Sequence, residues 1–193
     1  MNKQLVLAST SPFRKTLLAK LQLEFATASP NIDESQDPNE KVDDFVQRLS
    51  LEKAQAVMPQ YPNALIIGSD QVACIEGVIL GKPLNHQKAV EQLTQAAGKN
   101  VIFYTGLTLL NSETLKAQIL CELFRVQFRK LTKQEIERYL LAEKPYNCAG
   151  SFKSEALGIS LFEKFSGEDP NTLIGLPLIK LCQMLRKEGF LIP

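Results

Sequence analysis

The stretch from Ala64 to Ile75 constrains this chain more than any other. It reads as an apolar strand, Ala64-Leu65-Ile66-Ile67 and Val72-Ala73-Cys74-Ile75, broken by Gly68-Ser69-Asp70-Gln71. A carboxylate between two segments that must be buried is costly unless it is paired, hydrogen-bonded or holding a cation. The pattern predicts Asp70 at a strand break, away from any solvated face, as a metal ligand or general base. The other reading is a turn or bulge aspartate that bonds to local backbone.

Around that run, strand and helix patterns alternate. Leu5 to Ala8 is a short buried strand, and Ser9-Thr10-Ser11 leads to Pro12 at a helix start, with Phe13, Leu17, Leu18 and Leu21 at helical spacing. A second strand is expected in Glu24 to Ala28, then an acidic loop over Ser29 to Glu40 and a helix from about Val42 to Met58. Glu76-Gly77 turns the chain into a return strand at Val78 to Leu80. Asn85 opens a helix that stops at Gly98, and Val101 to Leu110 and Leu115 to Phe128 read as long strands. Thr132 and Glu135 form a capping box for a helix to Glu143. Ile159 to Phe165 is expected as a last strand, Gly167 to Gly175 as a polar loop, and Pro177 as the start of a terminal helix.

A chain of 193 residues, 45% hydrophobic and 22% charged, can bury a core without disulfides, and one domain over 1–193 is expected. Its 22 Lys and Arg against 21 Asp and Glu give no basic surplus for long nucleic acid or an anionic membrane. The opening apolar run, Leu5 to Ala8, is too brief for a secretory leader's core, and no later run reaches the length of a membrane span. Cys74, Cys121, Cys148 and Cys182 form no C-x-x-C pair, so reduced, buried thiols in a cytoplasmic protein are expected. The single histidine, His86, excludes multi-histidine metal sites and leaves catalysis to carboxylates, lysines and arginines.

Several charged residues stand where a polyphosphate could be held. Ser9, Thr10 and Ser11 lie between a strand and a helix N-terminus, with Arg14 in the first turn, an arrangement that suits an anion and equally an ordinary Ser-Pro cap. Lys53 projects onto the apolar stripe of Val42, Val46, Leu49, Ala56 and Val57, so it either meets an anion or snorkels to solvent. Asp33 and Glu34 in the acidic loop are able to share a hard cation with Asp70, or simply to be solvated. Gly81-Lys82-Pro83 lacks the glycine spacing and Ser/Thr of a P-loop, and Lys82 is either a fixed cation or a solvated turn lysine. Carboxylates for a metal with cations for phosphates describe phosphoryl chemistry better than acyl transfer.

These residues fall into an ordered set: Leu7-Ala8-Ser9-Thr10-Ser11-Pro12-Phe13-Arg14, Arg48-Leu49 with Glu52-Lys53-Ala54, Gly68-Ser69-Asp70, Gly81-Lys82-Pro83, and Asp169-Pro170-Asn171 with Gly175-Leu176-Pro177. The set resembles the Maf-like nucleoside triphosphate pyrophosphatases from first strand to last helix. The resemblance implies an α/β fold like that of inosine triphosphatase, a long mixed β-sheet flanked by helices in two lobes with a central cleft. It also implies a divalent metal, Mg²⁺ or Mn²⁺, and hydrolysis between the α and β phosphates. Carried over by motif, Asp70 is the proton acceptor or metal-organising acid, Glu34 a second metal-site acid, and Ser9, Arg14, Lys53 and Lys82 the phosphate contacts. A homodimer is a further family-level expectation.

Within the family one branch is similar to dTTP and UTP pyrophosphatases and another to 7-methyl-GTP pyrophosphatases. Three positions separate them, here Phe13, Gln71 and Glu155, and the set resembles the methylated-guanine branch, whose first position is often tryptophan. An aromatic ring can stack on a cationic methylated purine and a carboxylate can accept guanine N–H groups, although Phe13 also fits the Leu17 and Leu21 stripe. The implied purpose is removal of modified nucleotides. Two competing functions are a nucleotide-binding regulator of cell division without turnover, and a kinase or phosphatase that handles a terminal phosphate.

Overall fold

The computed structural model describes residues 3–192. Its strands form a seven-stranded mixed sheet in the order β2-β1-β3-β5-β6-β7, with β4 on β3. The chain divides into two compact units. The first comprises Met1–Gln71, Thr105–Glu122 and Asp169–Pro193, and the second Val72–Tyr104 and Leu123–Glu168.

In the first unit, strand β1 (Gln4–Ala8) runs parallel to both β2 (Ala26–Ala28) and β3 (Ala64–Ile75), with Ala8 opposite Gly68. Nearly every residue of β1 and of the start of β3 is buried, as expected for parallel strands covered on both faces. Alternation along the strands then sorts two cores. Leu5, Leu7, Leu65 and Ile67 meet Leu17 and Leu18 of α1 (Pro12–Ala19) and Leu181, Met184 and Leu185 of the terminal helix, α6 (Leu178–Lys187). Val6, Ala8, Ala64 and Ile66 meet Ala54 and Val57 of α2 (Val42–Val57).

Strand β3 is uninterrupted through Gly68-Ser69-Asp70-Gln71, contrary to the expected strand break. The reason lies in Gly68, whose absent side chain admits a neighbouring helix. A Cβ there would run into the backbone carbonyl of Ser50 on α2. Gly106 on β5 (Asn100–Asn111) does the same beneath the carbonyl of Val46, one helical turn earlier. Ser50 Oγ also lies 2.7 Å from Thr108 Oγ1, a buried cross-link between α2 and β5. Helix α2 is thus seated hard against the sheet, and its next turn delivers Lys53.

The second unit begins with a hairpin in which Ala73, Cys74 and Ile75 face Leu80, Ile79 and Val78 of β4 (Val78–Leu80). Its turn, Glu76-Gly77, has positive φ at both residues, as a tight two-residue hairpin requires. Asn85 caps α3 (His86–Ala96), and Thr132 with Glu135 forms the expected capping box on α4 (Lys133–Glu143). Phe103, Phe128, Phe152 and Phe162 stack edge to face in its core.

Two boundaries differ from the sequence reading. Leu157–Leu161 is a 3₁₀ segment with Ile159 exposed, so β7 is Phe162–Ser166, antiparallel to β6 (Lys116–Phe128). The polar stretch after it contains a short helix, α5 (Pro170–Ile174), capped by the Asp169 carboxylate and ended by Gly175 at φ 113. Aspartate, proline and glycine at those places are start and stop signals that a turn-rich composition conceals. Of the four free cysteines only Cys74 is buried.

Candidate active site

Alternation along β3 sends Asp70 to the α2 side, with Ala64, Ile66 and Gly68, and sends Ser69 and Gln71 to the other side. Lys53 meets Asp70 there. Its Nζ lies 2.5 Å from Asp70 Oδ1 and 2.7 Å from Glu34 Oε1. Lys53 is 5% exposed and Asp70 8%, so the ammonium on the apolar stripe has found its anion and does not snorkel.

Glu34 reaches this point because the acidic loop is tied down. Arg48, one turn before Glu52 on α2, donates to both carboxylate oxygens of Glu40 at 2.7 Å and to the carbonyl of Ser35 at 3.0 Å. The guanidinium holds the Glu40 carboxyl below its ordinary range. Asp33 instead accepts from the Ser35 N–H and remains exposed. Arg48 lies off the apolar face of α2, yet it anchors the loop that carries Glu34.

On the other side of β3, the turn at Gly175 is gripped by two side chains. Arg14 Nε and Ser69 Oγ each donate to its carbonyl at 2.9 Å. Burial pushes the Arg14 guanidinium below its ordinary range, against the opposing pull of the Asp70 and Glu34 carboxylates. Ser11 caps α1 by accepting from the Arg14 N–H, and the buried Ser9 hydroxyl accepts from the Ser11 N–H. The Ser9 O–H proton is left to donate toward an anion.

Gln71 is held as well. Its carboxamide NH₂ donates to the carbonyl of Thr172 at 2.6 Å and to Thr105 Oγ1 at 2.8 Å. Phe13 is 39% exposed and stands outside the core that contains Leu17, Leu18 and Leu21, so packing does not consume its ring. Lys82 and Glu155 belong to the second unit, and both are exposed, Lys82 in the loop after β4 and Glu155 in a turn where it accepts from Ser154.

Seven of the expected residues, Ser9, Phe13, Arg14, Glu34, Lys53, Asp70 and Gln71, are therefore found in one unit. Glu34 and Asp70 are gathered on one ammonium with Arg14 nearby, and Ser9 lies just ahead of the α1 cap. Thr105 and Thr172 had no sequence signal, since a threonine in an apolar strand reads as a packing residue and one in a polar stretch as a turn residue. Among the described residues, no group of three or more His, Cys, Asp or Glu is placed to hold a metal. Two carboxylates on one face still suit Mg²⁺, which takes one or two protein carboxylates and completes its shell with phosphate oxygens and water.

A family model described as Maf-like protein matches residues 4–188. The chain belongs to this family. Two Maf-like relatives are curated as 7-methyl-GTP pyrophosphatases. That of Colwellia psychrerythraea is 59% identical over 187 residues, covering 97% of this chain and 94% of its own. That of Pseudomonas syringae pv. tomato is 57% identical and covers 98% of each chain. Among solved structures, the Staphylococcus aureus Ham1 protein aligns with TM-score 0.55 at 12% identity, covering 97% of this chain and all of that one. At that identity the likeness speaks for the α/β fold. No helix among the described residues is long and apolar enough to cross a membrane.

Proposed function

We propose that this Maf-like chain is a cytoplasmic hydrolase that converts 7-methyl-GTP and water to 7-methyl-GMP and pyrophosphate, so clearing a modified nucleotide. Near-full-length identity with proteins of that name supports the substrate, and Asp70 held by Lys53 supports the chemistry. A homodimer is part of the same family-level proposal.

The reaction needs an acceptor for the proton of the attacking water and cations for the leaving pyrophosphate. Water oxygen bonds to the α-phosphorus, the bond from that phosphorus to the bridging oxygen breaks, and the water proton passes to the Asp70 carboxylate. Lys53 holds that carboxylate in place until the proton arrives. Ser9 and Arg14 bind phosphate oxygens, and Lys82 is assigned to the same task. Asp70 and Glu34 would hold a divalent cation, which supplies charge neutralisation on the phosphates when bound. Phe13 stacks on the cationic base, while Gln71 and Glu155 accept from its N–H groups.

A panel of 7-methyl-GTP, GTP, dTTP and UTP with Mg²⁺ or Mn²⁺, scored separately for pyrophosphate and orthophosphate, tests this reading. Pyrophosphate with preference for 7-methyl-GTP is expected, and its loss in Asp70→Asn. Preference for dTTP or UTP, release of orthophosphate, or full activity of the variant would each overturn a stated part.

A further inference from the structure

The carboxamide of Gln71 has only one orientation open to it. The Thr172 carbonyl can only accept, so the Gln71 atom 2.6 Å away has to be the nitrogen. Thr105 Oγ1 closes the set. It accepts from the same NH₂ at 2.8 Å and turns its own proton to the Thr172 carbonyl at 3.2 Å. Thr105 and Thr172 are fully buried, so water cannot take over either role. Gln71 itself is only half-buried, and its Oε1 makes no hydrogen bond among the described residues.

We propose that Thr105 and the Thr172 carbonyl are positioning elements that lock Gln71 as a pure hydrogen-bond acceptor, so that this site selects a base whose ring nitrogen on the pairing edge carries an N–H. The inference rests on the proposed reading that Gln71 faces the base. A guanine edge carries N–H donors at N1 and at the 2-amino group. Adenine presents a lone pair at N1, which a fixed Oε1 repels, and its edge N–H groups sit at the 6-amino position, where guanine has its carbonyl. A glutamine free to rotate would offer NH₂ to one and oxygen to the other, and would discriminate little. The selectivity therefore resides in one threonine hydroxyl and one backbone carbonyl, which act on the base through Gln71.

The test compares wild type, Thr105→Val and Thr105→Ser by two measurements. In the free wild-type protein, the Gln71 side-chain NH₂ protons should exchange with water far more slowly than those of an exposed glutamine. Slow exchange is expected to persist in Thr105→Ser and to be lost in Thr105→Val. The ratio of kcat/KM for 7-methyl-GTP to that for ATP should fall about tenfold in Thr105→Val, mainly through KM for 7-methyl-GTP, and stay within about twofold in Thr105→Ser. Fast exchange in the wild type overturns the lock. So does an unchanged ratio in Thr105→Val, or an equal loss in Thr105→Ser, which would mean that the hydroxyl is irrelevant. If wild type releases no pyrophosphate from 7-methyl-GTP, the underlying reading fails, and the exchange measurement still decides the lock.

Discussion

Lys53 is shared by Asp70 and Glu34, but among the described residues Asp70 has only Lys53 within ion-pair distance. The pair is therefore unequal, because removing the lysine leaves a buried carboxylate with no cation in direct contact, whereas removing the Asp70 charge leaves the lysine with Glu34. Breaking a buried pair from one side costs far more than replacing both members. Lys53→Met should lower unfolding free energy by about 3 kcal/mol and Asp70→Asn by about 1 kcal/mol. Both should abolish turnover, and the double variant should recover most of the Lys53→Met loss in urea denaturation. Equal costs for the two single variants would contradict the asymmetry.

Gly68 tests how the site is assembled. In Gly68→Ala the new methyl meets the Ser50 backbone carbonyl, which cannot swing aside as a flexible side chain would. A loss of about 3 kcal/mol is expected, at the upper end for overpacking. The displaced α2 should carry Lys53 away from Asp70, so kcat falls even where the variant remains folded, as circular dichroism and kinetics at low temperature would reveal.

Thr172 Oγ1 is the one fully buried side-chain polar atom with no hydrogen-bond partner among the described residues. Thr172→Val removes that atom while keeping the backbone carbonyl that Gln71 uses. A gain of about 1 kcal/mol in thermal unfolding is expected, with hydrolysis unchanged. A loss of stability would show that the hydroxyl is satisfied in solution.

Glu135 governs part of the acid response. The Thr132 N–H, with Arg129 and the Thr132 hydroxyl, holds its carboxyl down at about 2, against 4.5 ordinarily. A depressed carboxyl stabilises the fold above its unfolded pKa and loses that contribution as pH falls through the folded value. Glu135→Gln should therefore have a lower Tm than wild type at pH 7. The gap should narrow from about pH 4.5 downward and close near pH 2, which a series of thermal melts would follow.

Phe13 separates stacking from packing. With its ring outside the core, Phe13→Ala should leave stability within about 0.5 kcal/mol. KM for 7-methyl-GTP should rise several-fold, and KM for GTP, whose base is uncharged, less, because a cationic base gains more from an aromatic face. A parallel rise for both nucleotides would remove the cation-specific role.

Much of the site was legible before the structure because burial makes charged residues conspicuous. Asp70 stands between apolar segments and Lys53 on an apolar stripe, so pairing was one of two readings for each, and each is the other's partner. Glu34 was visible only as one acid in an acidic loop. What singles it out over Asp33 is Arg48, whose grip on Glu40 and Ser35 spans residues that no periodicity connects. The expected break in β3 failed for a related reason: glycine was read as a local breaker, when its place is decided by the Ser50 carbonyl of a distant helix.

The alternation of strands and helices, the caps at Ser11, Asn85 and Thr132, and the placing of Asp70 and Lys53 among apolar residues are written in the sequence, because these follow from local periodicity and short-range hydrogen bonding. Only the tertiary structure decided that β3 runs unbroken, that Lys53 holds both Asp70 and Glu34, and that Thr105 and Thr172 orient Gln71. Those outcomes depend on backbone groups brought together from far along the chain, and a carbonyl oxygen looks the same in every residue until the fold gives it a neighbour.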